Sequence, residues 1–434
     1  MFWISKAFHY LNRFRRRLLV FFAVLGPGIV VMVADNDAGG ISTYAVTGSK
    51  FGFSLLFMFI LLVPMAYFVQ EMTVRLGAVT KRGHAEAIFE GFGPFWGWFS
   101  LADLFVINWL TLVTEYIGMT AAMSLFGVPA WLTVIVVTGI LFAVVLSGEY
   151  WTFEKITLFF CLFNLVYIPA AIWTMETPTA PAWSKVLEGF YRPNLTFSTE
   201  LLFILMANIG TTIAPWQIFF QQSAVVDKGI EVKDIGFGKW DTLVGAILTC
   251  AVAVFIIIAT GAAFYYHHPA IVIEDARQTA EALAPLLPAG EGRWARTLFA
   301  IGLFDAGFLG ALCISLSTSW AVGEVFGWAH SLNNSVRDAP WFYMLYLLIL
   351  LTSGAVVLIP KAPLVTITMF VQVVAVTLLP SALVFLLLLL NDKDHMGEQV
   401  NTRWQNFANG TIVVIVVLMS TVLGITTLFP TLFG

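Results

Sequence analysis

Charge is what this chain has least of. Only 11% of its 434 residues are Asp, Glu, Lys or Arg, against about 25% in an ordinary soluble domain. So few charges cannot clothe a water-soluble surface, and 59% of the residues are hydrophobic; the chain reads as an integral membrane protein with the lipid bilayer as its solvent. A net charge of −4 provides no basic footprint, which argues against nucleic acid as a partner. Cysteine is nearly absent. Cys161, Cys250 and Cys313 stand apart in apolar runs, so neither a disulfide framework nor a thiol metal site is expected, and they read as small core residues. Histidine is scarce as well: His9, His84, His267, His268, His330 and His395 all lie outside the long apolar runs. An intramembrane imidazole relay for protons is thereby excluded. No soluble domain of appreciable size is present, the chain is not expected to be an enzyme, and no cofactor is called for.

What is there is a series of eleven apolar stretches, each long enough to cross about 30 Å of hydrocarbon. Their expected limits are 18–48, 53–76, 95–124, 130–147, 153–174, 199–224, 240–265, 297–327, 340–359, 364–390 and 410–433. The Arg13-Phe14-Arg15-Arg16-Arg17 cluster before the first stretch resembles a signal peptide, but the run behind it is too long and lacks a small-residue cleavage site, so it is read as a retained span. With the N-terminus inside, cytoplasmic segments hold fifteen of the twenty-two Lys and Arg residues. That bias places the N-terminus in the cytoplasm and the C-terminus outside a plasma (inner) membrane.

Two short polar breaks interrupt this pattern. Asp35-Asn36-Asp37-Ala38-Gly39-Gly40 falls within the first span and Asn208-Ile209-Gly210-Thr211-Thr212-Ile213-Ala214-Pro215-Trp216 within the sixth. A central charge in a bilayer costs about 2.5–3.5 kcal/mol on insertion scales, and unwound backbone at that depth survives only in a protein interior or a polar cavity. Paired interrupted helices in two halves of one membrane protein point to a transport site near the midplane. Spans 1–5 and 6–10 are therefore expected to form an inverted repeat. The organisation is 1–17, a basic cytoplasmic N-terminus; 18–174, the first repeat; 175–198, an outer loop; 199–390, the second repeat; and 391–434, a cytoplasmic loop and span eleven.

Asp37 is the foremost candidate ligand, because a carboxylate beside two glycines on an unwound stretch offers side-chain and carbonyl oxygens to one hard cation. Asp35 reads either as lining the approach or as a helix cap. Pro215 lacks a donor, which frees carbonyls near Thr211 and Ala214; a plain proline kink is the bland alternative. Gln372 has an amide oxygen to offer within span ten, or simply ties helices together. Glu71, Asp103, Glu115, Glu154 and Asp305 also lie in or near spans, and each reads as an ion-path residue or a packing polar group.

With those residues in view, the chain resembles the natural resistance-associated macrophage protein family of divalent-metal transporters. Gly26-Pro27 followed by Asp37-Ala38-Gly39-Gly40 is similar to the family's Gly-Pro and Asp-Pro-Gly-Asn motifs. Arg75-Leu76-Gly77-Ala78-Val79-Thr80 resembles the end of its second span, and Thr114-Glu115-Tyr116-Ile117-Gly118 its third-span Glu-x-x-Gly. Ala284-Pro285-Leu286-Leu287, Gln372, Leu379-Pro380 and Met396-Gly397 extend the likeness through the second half. The resemblance implies an all-α polytopic fold of LeuT type, broken helices 1 and 6 included, with Asp37, Gly40, Thr211, Ala214 and Gln372 at the metal and Asp35, Trp216 and Glu115 around it.

Three departures carry information. The family's metal-selecting Met-Pro-His is Ala214-Pro215-Trp216 here, the motif Asn is Gly40, and an acid three residues before Glu115 is Leu112. A thioether favours soft transition metals, and its loss at Ala214 removes that filter. Gly40 enlarges the pocket further. Mg²⁺ keeps several waters, so a roomy oxygen-only site suits it. Trp216 and Leu112 remove two proton-passing groups and leave Glu115 isolated; Trp216 either wedges the break apart, the preferred reading, or turns its ring to the ion's hydration water. The pattern resembles the bacterial branch of related Mg²⁺ transporters, which implies Mg²⁺ and Mn²⁺ import by alternating access without proton coupling, with no oligomer required. The alternatives are a proton-coupled Mn²⁺/Fe²⁺ carrier, a LeuT-type carrier of amino acids or organic cations, a membrane-embedded metal hydrolase, and a non-transporting cation sensor.

Overall fold

The computed structural model describes residues 25–177, 180–193, 195, 198–266, 273, 276–283 and 291–428. The basic cluster at 13–17, the first part of span one and the 284–287 segment lie outside the described residues. Every regular element among the described residues is helical. Nine helices there are long and apolar enough to cross a membrane. The shorter Ala130–Val145 helix and the broken first span complete the expected eleven.

The first span is two half-helices, α1 (Pro27–Ala34) and α2 (Ala38–Phe51). It continues into α3 (Phe57–Thr80), a short α4 (His84–Phe92), α5 (Pro94–Ser124) and α6 (Ala130–Val145). Span five is α7 (Tyr150–Cys161) and α8 (Tyr167–Met175), joined by a 3₁₀ turn over Phe163–Val166. An outer-loop helix, α9 (Trp183–Tyr191), precedes the broken sixth span, α10 (Thr199–Thr212) and α11 (Pro215–Asp227). Then follow α12 (Ile235–Thr260), α13 (Ala276–Leu283), α14 (Glu291–Phe326), α15 (Pro340–Val357), α16 (Leu364–Asn391) and α17 (Arg403–Leu428).

The sixth-span break is narrower than expected. Asn208–Thr212 remain helical, and only Ile213 and Ala214 leave the helix. Asn208 Nδ2 bonds the Ile204 carbonyl at 2.7 Å and Thr47 Oγ1 at 2.8 Å, so its polar group is satisfied without unwinding. The helix stops where Pro215 has no N–H to give the Thr211 carbonyl. The two broken spans pack against each other, α2 on α10 and α1 on α11. Around them sit α12 and α14, the latter packed along α5. This arrangement buries both breaks: Asp35, Asn36, Asp37, Thr211 and Ala214 are all at most 8% exposed.

Arg75, which opens the motif at the end of the second span and counts among the fifteen basic residues expected in cytoplasmic segments, lies within α3 and is buried. It bonds Glu71 Oε2 at 3.1 Å, Asn401 Oδ1 at 2.6 Å and the Gln399 carbonyl at 3.0 Å. The three cysteines are free and buried.

Candidate functional site

The site grows from the N-terminus of α2. An interrupted helix leaves its first N–H groups unpaired, and here two carboxylates take them. Asp37 caps α2: its Oδ1 accepts the Gly40 N–H at 2.6 Å. Glu115 on α5 accepts the Ala38 N–H with Oε2 at 3.0 Å. Glu115 is therefore not isolated, as a leucine at position 112 implied; it holds the broken helix end, and its carboxyl adjoins that of Asp37. The partner is a backbone N–H, which no side-chain motif announces.

Gly39 and Gly40 make the room. A methyl group built on Gly39 would lie 2.2 Å from Gln372 Nε2 and 3.4 Å from Asp37 Oδ1. One on Gly40 would lie 2.9 Å from Thr211 Oγ1, 3.0 Å from the Asp35 carbonyl oxygen and 3.3 Å from Asp37 Oδ1. The structure thus brings Asp37, Gly40, Thr211, Gln372 and Glu115 together from α2, α10, α16 and α5. Their donors are oxygens and one amide. Among the described residues no group of three or more His, Cys, Asp or Glu gathers in a form that holds a metal, which leaves the hydrolase alternative without its ligand cluster.

Asp35 and Ala214 form a second group on the other side of the break. Asp35 ends α1 and does not cap a helix N-terminus; its carboxylate oxygens are fully buried with no hydrogen bond inside 3.5 Å. The amide of Gln217 adjoins it. Gln217 Oε1 accepts the Ala214 N–H at 3.0 Å and Gln70 Nε2 at 3.3 Å. Trp216 is 1% exposed, packs edge-on to Phe220 at 6.1 Å, and its carbonyl accepts the Ser317 hydroxyl at 3.0 Å. Gln217 and Gln70 are site neighbours that the motif reading missed. The signal that could have found them is the Gln217, Gln221, Gln222 spacing, which sets amides on adjoining faces of an apolar helix.

Among the described residues, a cavity reaches the site from one side. A cavity of about 330 Å³ runs from Gly39 and Gln372 past Thr114 and Gly118 to Ser124 and Ala130. The opposite side is sealed by polar bonds. Thr73 Oγ1 donates to Gln221 Oε1 at 3.2 Å, and Gln221 Nε2 donates to Thr242 at 2.9 Å. Beyond them Asp241 caps α1, accepting the Gly28 N–H at 2.7 Å and the Ile29 N–H at 3.3 Å. Lys228 Nζ donates to Glu154 at 2.7 Å and to the Leu25 carbonyl at 3.0 Å.

Comparison with known proteins agrees with this fold. The natural resistance-associated macrophage protein-like family matches residues 28–426. A divalent metal cation transporter MntH of Bradyrhizobium diazoefficiens is 29% identical over 315 residues, 70% of this chain and 67% of that one. Its namesake in Listeria welshimeri is 26% identical over 424 residues, 94% of this chain and 90% of the relative. A crystal structure of an Eremococcus coleocola manganese transporter, bound to an aromatic bis-isothiourea compound, superposes with a TM-score of 0.78 at 23% identity, covering 93% of this chain and 86% of that one. A mutant of the same transporter gives 0.80 over 95% and 88%. These solved chains share the LeuT-like fold. The polar breaks, the capped half-helix and a match across nearly the whole length lead to one conclusion: this chain belongs to the natural resistance-associated macrophage protein-like family.

Proposed function

We propose that this protein imports Mg²⁺ and Mn²⁺ across the plasma membrane by alternating access, driven by the membrane potential and without coupled protons. The observation that carries the reading is the donor set around Gly39 and Gly40. Asp37, Thr211, the Asp35 carbonyl and Gln372 surround that space, and no thioether, thiol or imidazole is among them. Hard oxygen donors suit Mg²⁺ and Mn²⁺, whereas softer metals gain from sulfur or nitrogen. The family's members carry metal ions rather than catalyse reactions, and the MntH relatives are named for divalent cations. On the basic-residue orientation, with the N-terminus cytoplasmic, the 330 Å³ cavity opens outward and the Lys228 side closes inward. Moving two charges inward through 100 mV releases roughly 4.6 kcal/mol, enough for about a 10³-fold gradient.

A second reading, proton-coupled Mn²⁺ transport, has one observation in its favour. Glu115 adjoins Asp37, and two neighbouring carboxyls are a natural place to keep a proton. Purified protein in liposomes, with trapped Mg²⁺ indicator and a parallel pH reporter, separates the two. Potential-driven Mg²⁺ entry without acidification is expected. Acidification that follows Mn²⁺ alone, with Mg²⁺ silent, refutes the uncoupled reading. Asp37→Ala should abolish uptake of both ions.

A further inference from the structure

Asp305 is an intramembrane carboxylate that the ion pathway described above does not use. It lies on α14, 2% exposed, and one of its oxygens accepts Asn164 Nδ2 at 3.0 Å. Among the described residues, no Lys, Arg or His forms a salt bridge with it. Its second oxygen, the amide oxygen of Asn164 and the hydroxyl of Tyr167 are all buried and make no hydrogen bond. Asn164 and Tyr167 are themselves 0% and 1% exposed. Tyr167 lies against the same stretch of α14, its hydroxyl 2.8 Å from where a methyl on Gly302 would stand, and within the field of the Asp305 charge.

The backbone is irregular at the same place. Between α7 and α8 the span tightens to the 3₁₀ turn that carries Asn164, and the Leu165 N–H bonds Leu162 O, three residues back. A 3₁₀ stretch in mid-span often marks a functional hinge or a sequence under strain.

A buried carboxylate without a counter-charge is costly, and each unsatisfied amide or hydroxyl adds to the cost. A proton on Asp305 would answer for that side chain alone. A hard cation gathers several oxygens around itself, so one ion serves oxygens that make no hydrogen bond of their own. One carboxylate matches one positive charge. We infer that Asp305, Asn164 and Tyr167 form a second cation site, distinct from the one at Asp37, and that it takes Na⁺. The two sites share α14: a methyl on Gly310 would lie 3.0 Å from Glu115 Oε2 and 3.1 Å from Asp37 Cβ. Asp305 and Gly310 are five positions apart, about 7.5 Å along the helix. Filling the Na⁺ site therefore bears on the helix that backs the divalent-metal pocket.

The test is equilibrium binding of radiolabelled Na⁺ to the purified full chain in detergent, with choline as the replacement cation and the pH held fixed. Saturable binding is expected in the wild type and at least about tenfold weaker binding in Asp305→Asn. Retained Mn²⁺ binding, measured by calorimetry with MnCl₂, shows that this variant folds. Tyr167→Phe removes one oxygen and little else; it should weaken Na⁺ binding too, and it carries the test if Asp305→Asn does not fold. No saturable Na⁺ binding in the wild type, or equal binding in the wild type and the tested variant, overturns the proposal. Proton uptake that depends on Asp305 with no Na⁺ binding assigns the carboxyl to a proton and overturns it as well.

Discussion

Gly39→Ala isolates the geometry of the metal site in one methyl group. In an α-helix interior alanine is favoured over glycine by about 1 kcal/mol, and Gly39 has helical backbone within α2, so local propensity predicts a gain in stability. The site predicts a loss of function. The new methyl would stand 2.2 Å from Gln372 Nε2, inside contact distance, and the glutamine must withdraw. If its amide is a ligand, the ion loses a polar contact worth about 1.5–3 kcal/mol, which weakens binding by about 10- to 150-fold. The assay is calorimetric Mn²⁺ binding to purified Gly39→Ala, Gln372→Ala and the double variant. The methyl acts by displacing Gln372, so the double variant should bind no more weakly than the weaker single variant, with a coupling energy near the whole Gln372 effect. Additive losses, or wild-type binding by Gly39→Ala, would refute the placement of Gln372 at the ion.

Three further tests address other parts of the structure. Ala214→Met should shift uptake competition from Mg²⁺ toward Mn²⁺ and softer ions; an unchanged profile means that this side chain does not face the ion. Lys228→Ala strands Glu154, whose side chain is 3% exposed, at a cost of about 3–5 kcal/mol. Hydrogen exchange across Gly28–Val33 should then accelerate, and unaltered exchange removes Lys228 from the closure. His84, in the short helix α4 outside the spans, has its imidazole pushed down to about 4 by burial, against the hydrogen bond that Nδ1–H donates to Gln222 Oε1. The unfolded chain takes up this proton near pH 6.5 and the folded chain near 4, so stability falls as pH drops through that window, by up to about 3 kcal/mol. Thermal melts of His84→Gln should lose that part of the slope between pH 6.5 and 4; an identical slope in the variant refutes it.

The breaks are legible in the sequence because carboxylates and glycines inside an apolar run are too costly in hydrocarbon to stand there without a use. Asp37 and Gln372 emerge that way although 335 positions separate them in the chain. The extent of the second break is not legible. Asn208 looks like part of the unwinding, but it satisfies its amide on Ile204 and Thr47, and a side chain bonding to its own helix leaves no mark in the sequence. The role of Glu115 is hidden for a related reason, since its partner is the Ala38 N–H. Helix α4 escapes a search for spans because nine amphipathic residues, His84–Phe92, are too short to register as one. Asp305 is visible as a misplaced charge, but its neighbours Asn164 and Tyr167 come from a span some 140 residues earlier.

Asp241 on the end of α1, and Lys228 between Glu154 and Leu25, fasten the side away from the cavity with polar bonds, beside the apolar packing of Val30, Val31, Met32 and Val33. That choice sets how readily the protein can turn over. When α1 swings away, each released N–H, carboxylate and ammonium meets water, and the net loss per bond is about 0.5–1.5 kcal/mol for neutral pairs and 1.5–3 kcal/mol for charged ones. An apolar seal of the same extent would instead expose hydrocarbon to water, with nothing to recover. On the alternating-access reading proposed above, the polar part of opening thus costs only several kcal/mol, within reach of an ion that prefers one form about 10⁴-fold. On the proposed alternating-access reading, a fastening that dissolves in the water it admits lets a single small ion, arriving on the far side, decide which way the molecule faces.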